Sequence, residues 1–387
     1  MKIQFLHKWK QCQTLFVALG MSLLLANCTT TKPLDFSRAD AVNATVTRTD
    51  LLNVYQYGLK ADSVNYVYAE ASAAMKMGDQ ILLAIDKPVP GNFSPVFTVP
   101  VADVLKKPEY SNRINFVSAA PFKQALKLEA FAKAPNDSLF FATTAFDRVR
   151  GSSADWDGYN ALLSWQSKNY ADVQYVAASE RNGVTSSRDL RSAFQKVLTT
   201  SQFPNGVPYF KIEALTVLPG NRLVFGVREI GESYLKFEYT FILVEATFSI
   251  SSGGVQINPN FKKIYEYKPV VNGHQMGISD LLYHTASNSL LALSSYEAGT
   301  DEKNKTFSSS LWILPLSRLE KGEAPLPVMS EGKQLEMPYK GEGMTLLDDR
   351  TLFVIFDEDR KDTQVKIGKE MVAKQPHQAI FSIIKLR

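Results

Sequence analysis

Acidic residues recur along this chain at matching places in a repeated phrase, and any chemistry begins with them. Glu70, Glu129, Glu213, Asp280 and Glu342 each head a short apolar run: Ala69-Glu70-Ala71-Ser72, Leu128-Glu129-Ala130-Phe131, Ile212-Glu213-Ala214-Leu215, Ser279-Asp280-Leu281-Leu282 and Gly341-Glu342-Gly343-Met344. A second acid closes the following apolar run in each unit: Asp86, Asp147, Glu229, Glu297 and Asp357. Carboxylates gathered at one place stay ionised only if a counter-charge arrives; otherwise their pKa values rise. Three counter-charges are available. Lys87, Arg148, Arg228 and Arg360 stand near the second acids, backbone N–H groups of neighbouring units are a structural alternative, and a divalent cation is the third. Calcium takes 6–8 oxygen ligands and suits mixed carboxylate and carbonyl sets.

The elements that must position these acids are strands. The turns between paired runs are Gly78-Asp79, Asn136-Asp137, Gly220-Asn221, Ser287-Asn288 and Asp348-Asp349, small polar residues suited to the positive-φ positions of tight hairpins. Each second run is strongly apolar: Ile81–Ile85, Leu139–Ala142, Leu223–Val227, Leu290–Leu293 and Leu352–Phe356. A third run follows in every unit and a fourth in all but the last, while Thr45–Tyr57 reads as a strand with no unit of its own. Such a repeat predicts an all-β, five-bladed β-propeller over 43–387, its last blade completed by the N-terminal strand. An open sandwich would not explain an acid repeated at one position. The blades exceed the roughly 40–45 residues of a WD40-type unit, with insertions at Arg148–Gly158, Ala298–Ser309 and Glu358–His377, and a short rim helix expected over Ser186–Leu198. The first strand of a blade lines the channel, so the five leading acids are expected as a ring at one mouth. The antiparallel second strand returns its terminal acid to that same mouth.

Composition narrows the function classes. The chain has 387 residues and a formal net charge of +4. Lys2, Lys8 and Lys10 precede the apolar stretch Thr14–Ala26, so the remainder is near neutral and gives no argument for nucleic acid. Cys12 and Cys28 are the only cysteines, which leaves the expected domain without disulfides, thiolate metal sites or a cysteine nucleophile. No Gly-x-Ser-x-Gly elbow, P-loop or His-Glu-x-x-His is present. A basic start, a short apolar core and Leu25-Ala26-Asn27-Cys28 resemble the lipobox of bacterial lipoproteins. That resemblance implies a signal peptide over 1–27, an acylated Cys28 with a polar tether over 28–42, and membrane attachment through the lipid. Thr29 after the cysteine implies the outer membrane, facing the periplasm.

The phrases Glu342-Gly343-Met344-Thr345, Ile212-Glu213-Ala214-Leu215-Thr216-Val217 and Gly277-Ile278-Ser279-Asp280-Leu281-Leu282-Tyr283 resemble the repeats of calcium-activated nucleotidases (apyrases) and of phytase-like and SdiA-regulated envelope propellers. The resemblance implies five blades and a central Ca²⁺, with Glu129, Glu213, Ser279 and Glu342 as ligands, and Glu70 or Ser72 as a further one. The repeats depart from the nucleotidase pattern after the first hairpin, where Asp86 is followed by Lys87-Pro88. Two function classes follow. One is a binding or assembly module that takes an envelope protein or a small anion at the mouth. The other is a Ca²⁺-dependent phosphoesterase, with the metal polarising a phosphoryl oxygen and Lys87, Arg148, Arg228 or Arg360 holding the anion.

Overall fold

The computed structural model describes residues 34–36, 39–55, 58–60, 63, 65–91, 93–106, 113–299, 305–358 and 363–387. Residues 1–33, which include the expected signal peptide and Cys28, and Arg360 lie outside them. Asp35–Arg387 forms one compact unit, and Phe36 is already buried in it.

The unit is a β-propeller assembled from antiparallel meanders. After β1 (Val42–Asn53), the first sheet is β2 (Ala71–Met77), β3 (Gln80–Ile85), β4 (Val96–Pro100) and β5 (Asn115–Phe116). The second is β6 (Leu128–Lys133), β7 (Phe140–Thr144), β8 (Leu162–Trp165) and β9 (Gln174–Tyr175). The third contains β10 (Tyr209–Leu218), β11 (Arg222–Ser233), β12 (Lys236–Ser251) and β13 (Lys262–Tyr267). Next come β14 (Gly277–His284), β15 (Ser289–Ala298), β16 (Thr306–Pro315) and β17 (Leu326–Ser330). Last are β18 (Lys340–Asp348), β19 (Thr351–Asp357) and β20 (Gln378–Leu386).

β1 lies beside β20, antiparallel from Ala44↔Leu386 to Asn53↔Gln378, and meets β17 in parallel at Val42↔Val328. The fourth and fifth meanders are thereby joined into one sheet. Glu336–Met337 also pairs with β16 as a fourth-strand contact, with β17 as an additional neighbour. The rim helix is a 3₁₀ turn, Arg188–Leu190, running into α1 (Arg191–Val197).

The first strands adjoin one another in the cyclic order β2, β6, β10, β14, β18 and back to β2. Both faces of each meander carry apolar side chains. Met75, Leu82 and Ala84 meet Phe131, Phe140 and Trp165 in one core, while Ile81 and Leu83 meet Phe353 and Phe381 in another. Trp165 is buried in the first of these cores. Side chains also tie the inner edges together: Lys76 N–H donates to Thr345 Oγ1 (2.8 Å), Tyr283 N–H to Thr216 Oγ1 (3.0 Å) and Met344 N–H to Asp280 Oδ2 (2.6 Å). Gly343 lets β18 lie close against β2, since a Cβ there would lie 2.8 Å from the Ala74 nitrogen.

Candidate functional site

Side chains of a blade's inner strand alternate between two faces, and both faces pack on neighbouring blades. A regular strand therefore points nothing down the channel. Only a bulge, where one residue has no partner opposite it, frees a side chain to turn inward. All five inner strands break register at one place. The unpaired residues are Ser72, Glu129, Glu213, Ser279 and Glu342, each skipped between two paired neighbours.

Glu129, Glu213 and Glu342 converge there, their nearest carboxylate oxygens within 4.8 Å of one another and all three side chains buried. Two residues expected in the ring stand elsewhere. Glu70 forms an isolated bridge with Asp357 and pairs through its side chain with Lys87 (2.7 Å). Asp280, also buried, accepts the N–H groups of Leu281 (2.8 Å) and Met344 (2.6 Å), so it pins β14 to β18. The equivalent positions hold Ser72 and Ser279, because the bulge moves the inward residue two places on from Glu70 and one place back from Asp280.

The counter-charges come from the chain itself, through an arrangement repeated in three blades. Lys127 spans Glu129 (3.7 Å) and Asp147 (2.9 Å). Lys340 spans Glu342 (2.8 Å) and Asp357 (3.3 Å). Arg228 spans Glu213 (3.0 Å) and Glu229 (3.6 Å), and its NH1 also donates to Ser279 Oγ (2.6 Å) and Ser295 Oγ (2.9 Å). Lys211 lies between Glu213, with which it hydrogen-bonds, and Glu129 (3.5 Å). Arg228 is itself a bulge residue of β11, and it crosses to the serine in the next blade over Gly277, where a Cβ would lie 2.7 Å from its Cγ. Tyr209 O–H donates to Glu229 (2.5 Å).

The strand-end acids thus divide. Asp147, Glu229 and Asp357 return to the ring through these cations. Asp86 hydrogen-bonds through its backbone N–H to the Glu70 carbonyl (3.0 Å), and Glu297 pairs outward with Lys305 (2.7 Å). Arg148 is half-exposed, 3.7 Å from Asp147 and stacked over Tyr159.

The cations that matter most, Lys127, Lys211 and Lys340, were not among the expected ones. Their signal is in the repeats: Lys127-Leu128-Glu129, Lys211-Ile212-Glu213 and Lys340-Gly341-Glu342 place lysine two residues before each bulged glutamate. The serine blades carry Glu70 and Gly277 at that place.

Proton affinities follow from this packing. Burial, against the opposing pull of Lys211 and Lys127, pushes Glu129 up to about 8. Burial also raises Glu342, as does neighbouring Glu213. Burial works to raise Glu213 as well, but Arg228 and Lys211 reverse it and hold that carboxyl at about 2. Burial would lower Lys211, but Glu129 and Glu213 keep it well above the usual lysine range. Lys340 is held up in the same way by Glu342 and Asp357. Burial and Asp86 raise Glu70 to about 7.

No protein-family model and no curated protein sequence matches the chain. Among solved structures it is similar to one from a nidogen/laminin complex (8% identity, TM-score 0.39, 87% of this chain and 98% of that one). It is also similar to the PQQ-bound aldose sugar dehydrogenase of Streptomyces coelicolor (8%, 0.39, 90% and 99%) and to the Cps50 (Swd1) β-propeller domain of Myceliophteria thermophila (9%, 0.30, 80% and 82%). Likeness at this level carries no argument about activity.

Proposed function

We propose that this chain is a non-catalytic binding or assembly module of the bacterial envelope. In this reading it is a five-bladed propeller closed by β1, held to the outer membrane through acylated Cys28 and facing the periplasm. Its mouth loops receive an envelope protein or a small anionic ligand. The observation that carries the reading is the lysine or arginine standing against every channel glutamate. A calcium ion among Glu129, Glu213 and Glu342 would stand close to the Lys211 ammonium. At about 4 Å and an effective dielectric near 20, a divalent ion meets roughly 8 kcal/mol of repulsion from one such group. Three carboxylates would attract the same ion, so in this reading the chain's own lysines and arginine take the place of a calcium ion at the glutamates. A phosphoesterase that polarises its substrate through that ion loses its electrophile with it.

The test is thermal unfolding of the full chain in detergent, with Ca²⁺ and with chelator, beside a phosphate-release screen on nucleotides and phosphomonoesters. The binding-module reading expects no metal-dependent change in Tm and no turnover. A saturable rise of several degrees with Ca²⁺, a gain of several kcal/mol at saturation, would restore the cation reading. Metal-dependent phosphate release would restore the hydrolase.

A further inference from the structure

The hairpin joining β11 to β12 outruns the sheet around it. β10 follows it only to Tyr209↔Gly231, and β13 pairs with β12 no nearer the tip than Phe241↔Tyr267. Residues 232–237 thus form an arm, closed by the pair Ser233↔Lys236. Gly231 sets its foot, since a Cβ there would meet the Lys236 carbonyl.

Tyr234 and Leu235 make the tip of the arm, 69% and 80% exposed, the most exposed large apolar side chains among the described residues. Phe237 beside them is 38% exposed. Apolar residues exposed singly are ordinary, but a contiguous group marks a contact surface. At the foot of the arm lies an open cleft of about 340 Å³, lined by Phe203, Ile230 and Phe237 together with Ser201, Gln202 and Glu238. At roughly 30 Å³ per water, it holds about eleven waters, or the side chains of one tyrosine and one leucine. The mixed lining suits that pair, because a tyrosine brings a hydroxyl along with its ring.

Charge decides between occupants. Lys236 pairs with Glu232 (2.6 Å) and Lys268 with Glu238 (3.1 Å), so the arm has no surplus cation for an anionic lipid surface. Nor has it a net charge with which to repel a second copy. Knob and recess stand on one arm, the condition for an isologous contact in which each tip enters the other copy's cleft. Covering the exposed parts of Tyr234, Leu235 and Phe237 on both copies removes roughly 700 Å². The rim of the cleft brings the total to about 1,000 Å², the low end for a specific interface.

We propose that this chain pairs with a second copy of itself through these arms, packed antiparallel about a two-fold axis. The same contact covers the edge of β12 that β13 does not reach, where an open edge would invite unlimited pairing. The dimer needs neither the lipid anchor nor the mouth ligand proposed above, and it stands or falls without them.

Sedimentation velocity of the full chain in density-matched detergent, from about 1 to 100 μM, tests it across the weak affinities that so small an interface allows. A reversible monomer–dimer equilibrium in the micromolar range is expected. Leu235→Ser, at the exposed tip, should weaken the dimer at least tenfold at unchanged Tm. Gln202→Trp, which fills the cleft and leaves the tip intact, should do likewise. Ile250→Ser, at an apolar position 49% exposed near the far end of β12, should change nothing. The proposal is overturned if the parent chain stays monomeric throughout that range, or if Ile250→Ser weakens the dimer as much as Leu235→Ser. It is equally overturned if Leu235→Ser dimerises like the parent, or if Gln202→Trp does, since the cleft would then take no part.

Discussion

Lys211→Met offers the most direct test of the ion-pair cluster at the bulges. Methionine preserves much of the lysine stem's packing and removes the ammonium. That ammonium lies 3.5 Å from Glu129 and hydrogen-bonds to Glu213. Glu129, held at about 8, is mostly protonated at pH 7, so the contact with ionised Glu213 carries the interaction, about 5 kcal/mol at an effective dielectric near 20, and part of this is offset by the several kcal/mol no longer spent desolvating the ammonium. Arg228 still faces Glu213 after the substitution. The net loss is then roughly 3–5 kcal/mol, as for other buried pairs stripped of one partner. A domain the size of Asp35–Arg387 unfolds with an entropy near 0.7 kcal/mol per degree, so Tm should fall by about 4–7 °C, read by calorimetry near pH 7. The substitution also leaves three converging glutamates one cation short, so Ca²⁺ that leaves the parent chain unchanged should raise the variant's Tm. A loss below about 1 kcal/mol, or an equal calcium response in both proteins, would refute the reasoning.

Further outcomes follow from the same packing. Glu129, held at about 8 against an unfolded value of 4.5, binds more protons in the native state, so its contribution is full below pH 4.5 and is lost as pH rises toward 8. Glu213, held at about 2, contributes above pH 4.5 and loses that contribution as pH falls toward 2. A Tm maximum near pH 5 is therefore expected, with decline on both sides; a Tm that climbs steadily from pH 5 to 8 would contradict this balance. Gly343→Ala would press a methyl group against the backbone of Ala73 and Ala74 and should cost about 1–3 kcal/mol, measurable by urea unfolding. Deleting residues 42–53 removes the strand paired along β20 and exposes a sheet edge; light scattering should show association, and a monomeric, cooperatively folding deletion would argue against closure by β1.

Much of the architecture was legible in the sequence because short apolar runs and Gly/Asn/Asp turns each have a local cause. Gly220-Asn221 and Asp348-Asp349 stand at hairpin tips, and Gln378–Leu386 forms the third strand of the last unit. The ring was read less well, since a bulge leaves no mark in composition. One unpaired residue shifts the inward position from Glu70 to Ser72 and from Asp280 to Ser279. Acid-to-acid matching across repeats aligned chemistry where the backbone aligns registers. The lysines two residues before the bulged glutamates were visible all along, but their partners become evident only once the bulge turns Glu129, Glu213 and Glu342 onto one axis.

The pairing of β1 with β20 also bears on how the molecule comes into being. Residues 42–53 are synthesised before every other strand of the propeller, and their antiparallel partner, Gln378–Leu386, after every other one. Closing so long a loop adds little to the equilibrium cost, since each doubling of length adds only about 0.6 kcal/mol. Its effect is on timing. The first strand stays without its partner for nearly the whole of elongation, and the sheet edges on either side stay open as long. Such an intermediate is aggregation-prone while it waits. Closure of the fold thus waits until Gln378–Leu386 has been made, and removal of those residues would leave β1 without the strand it pairs along.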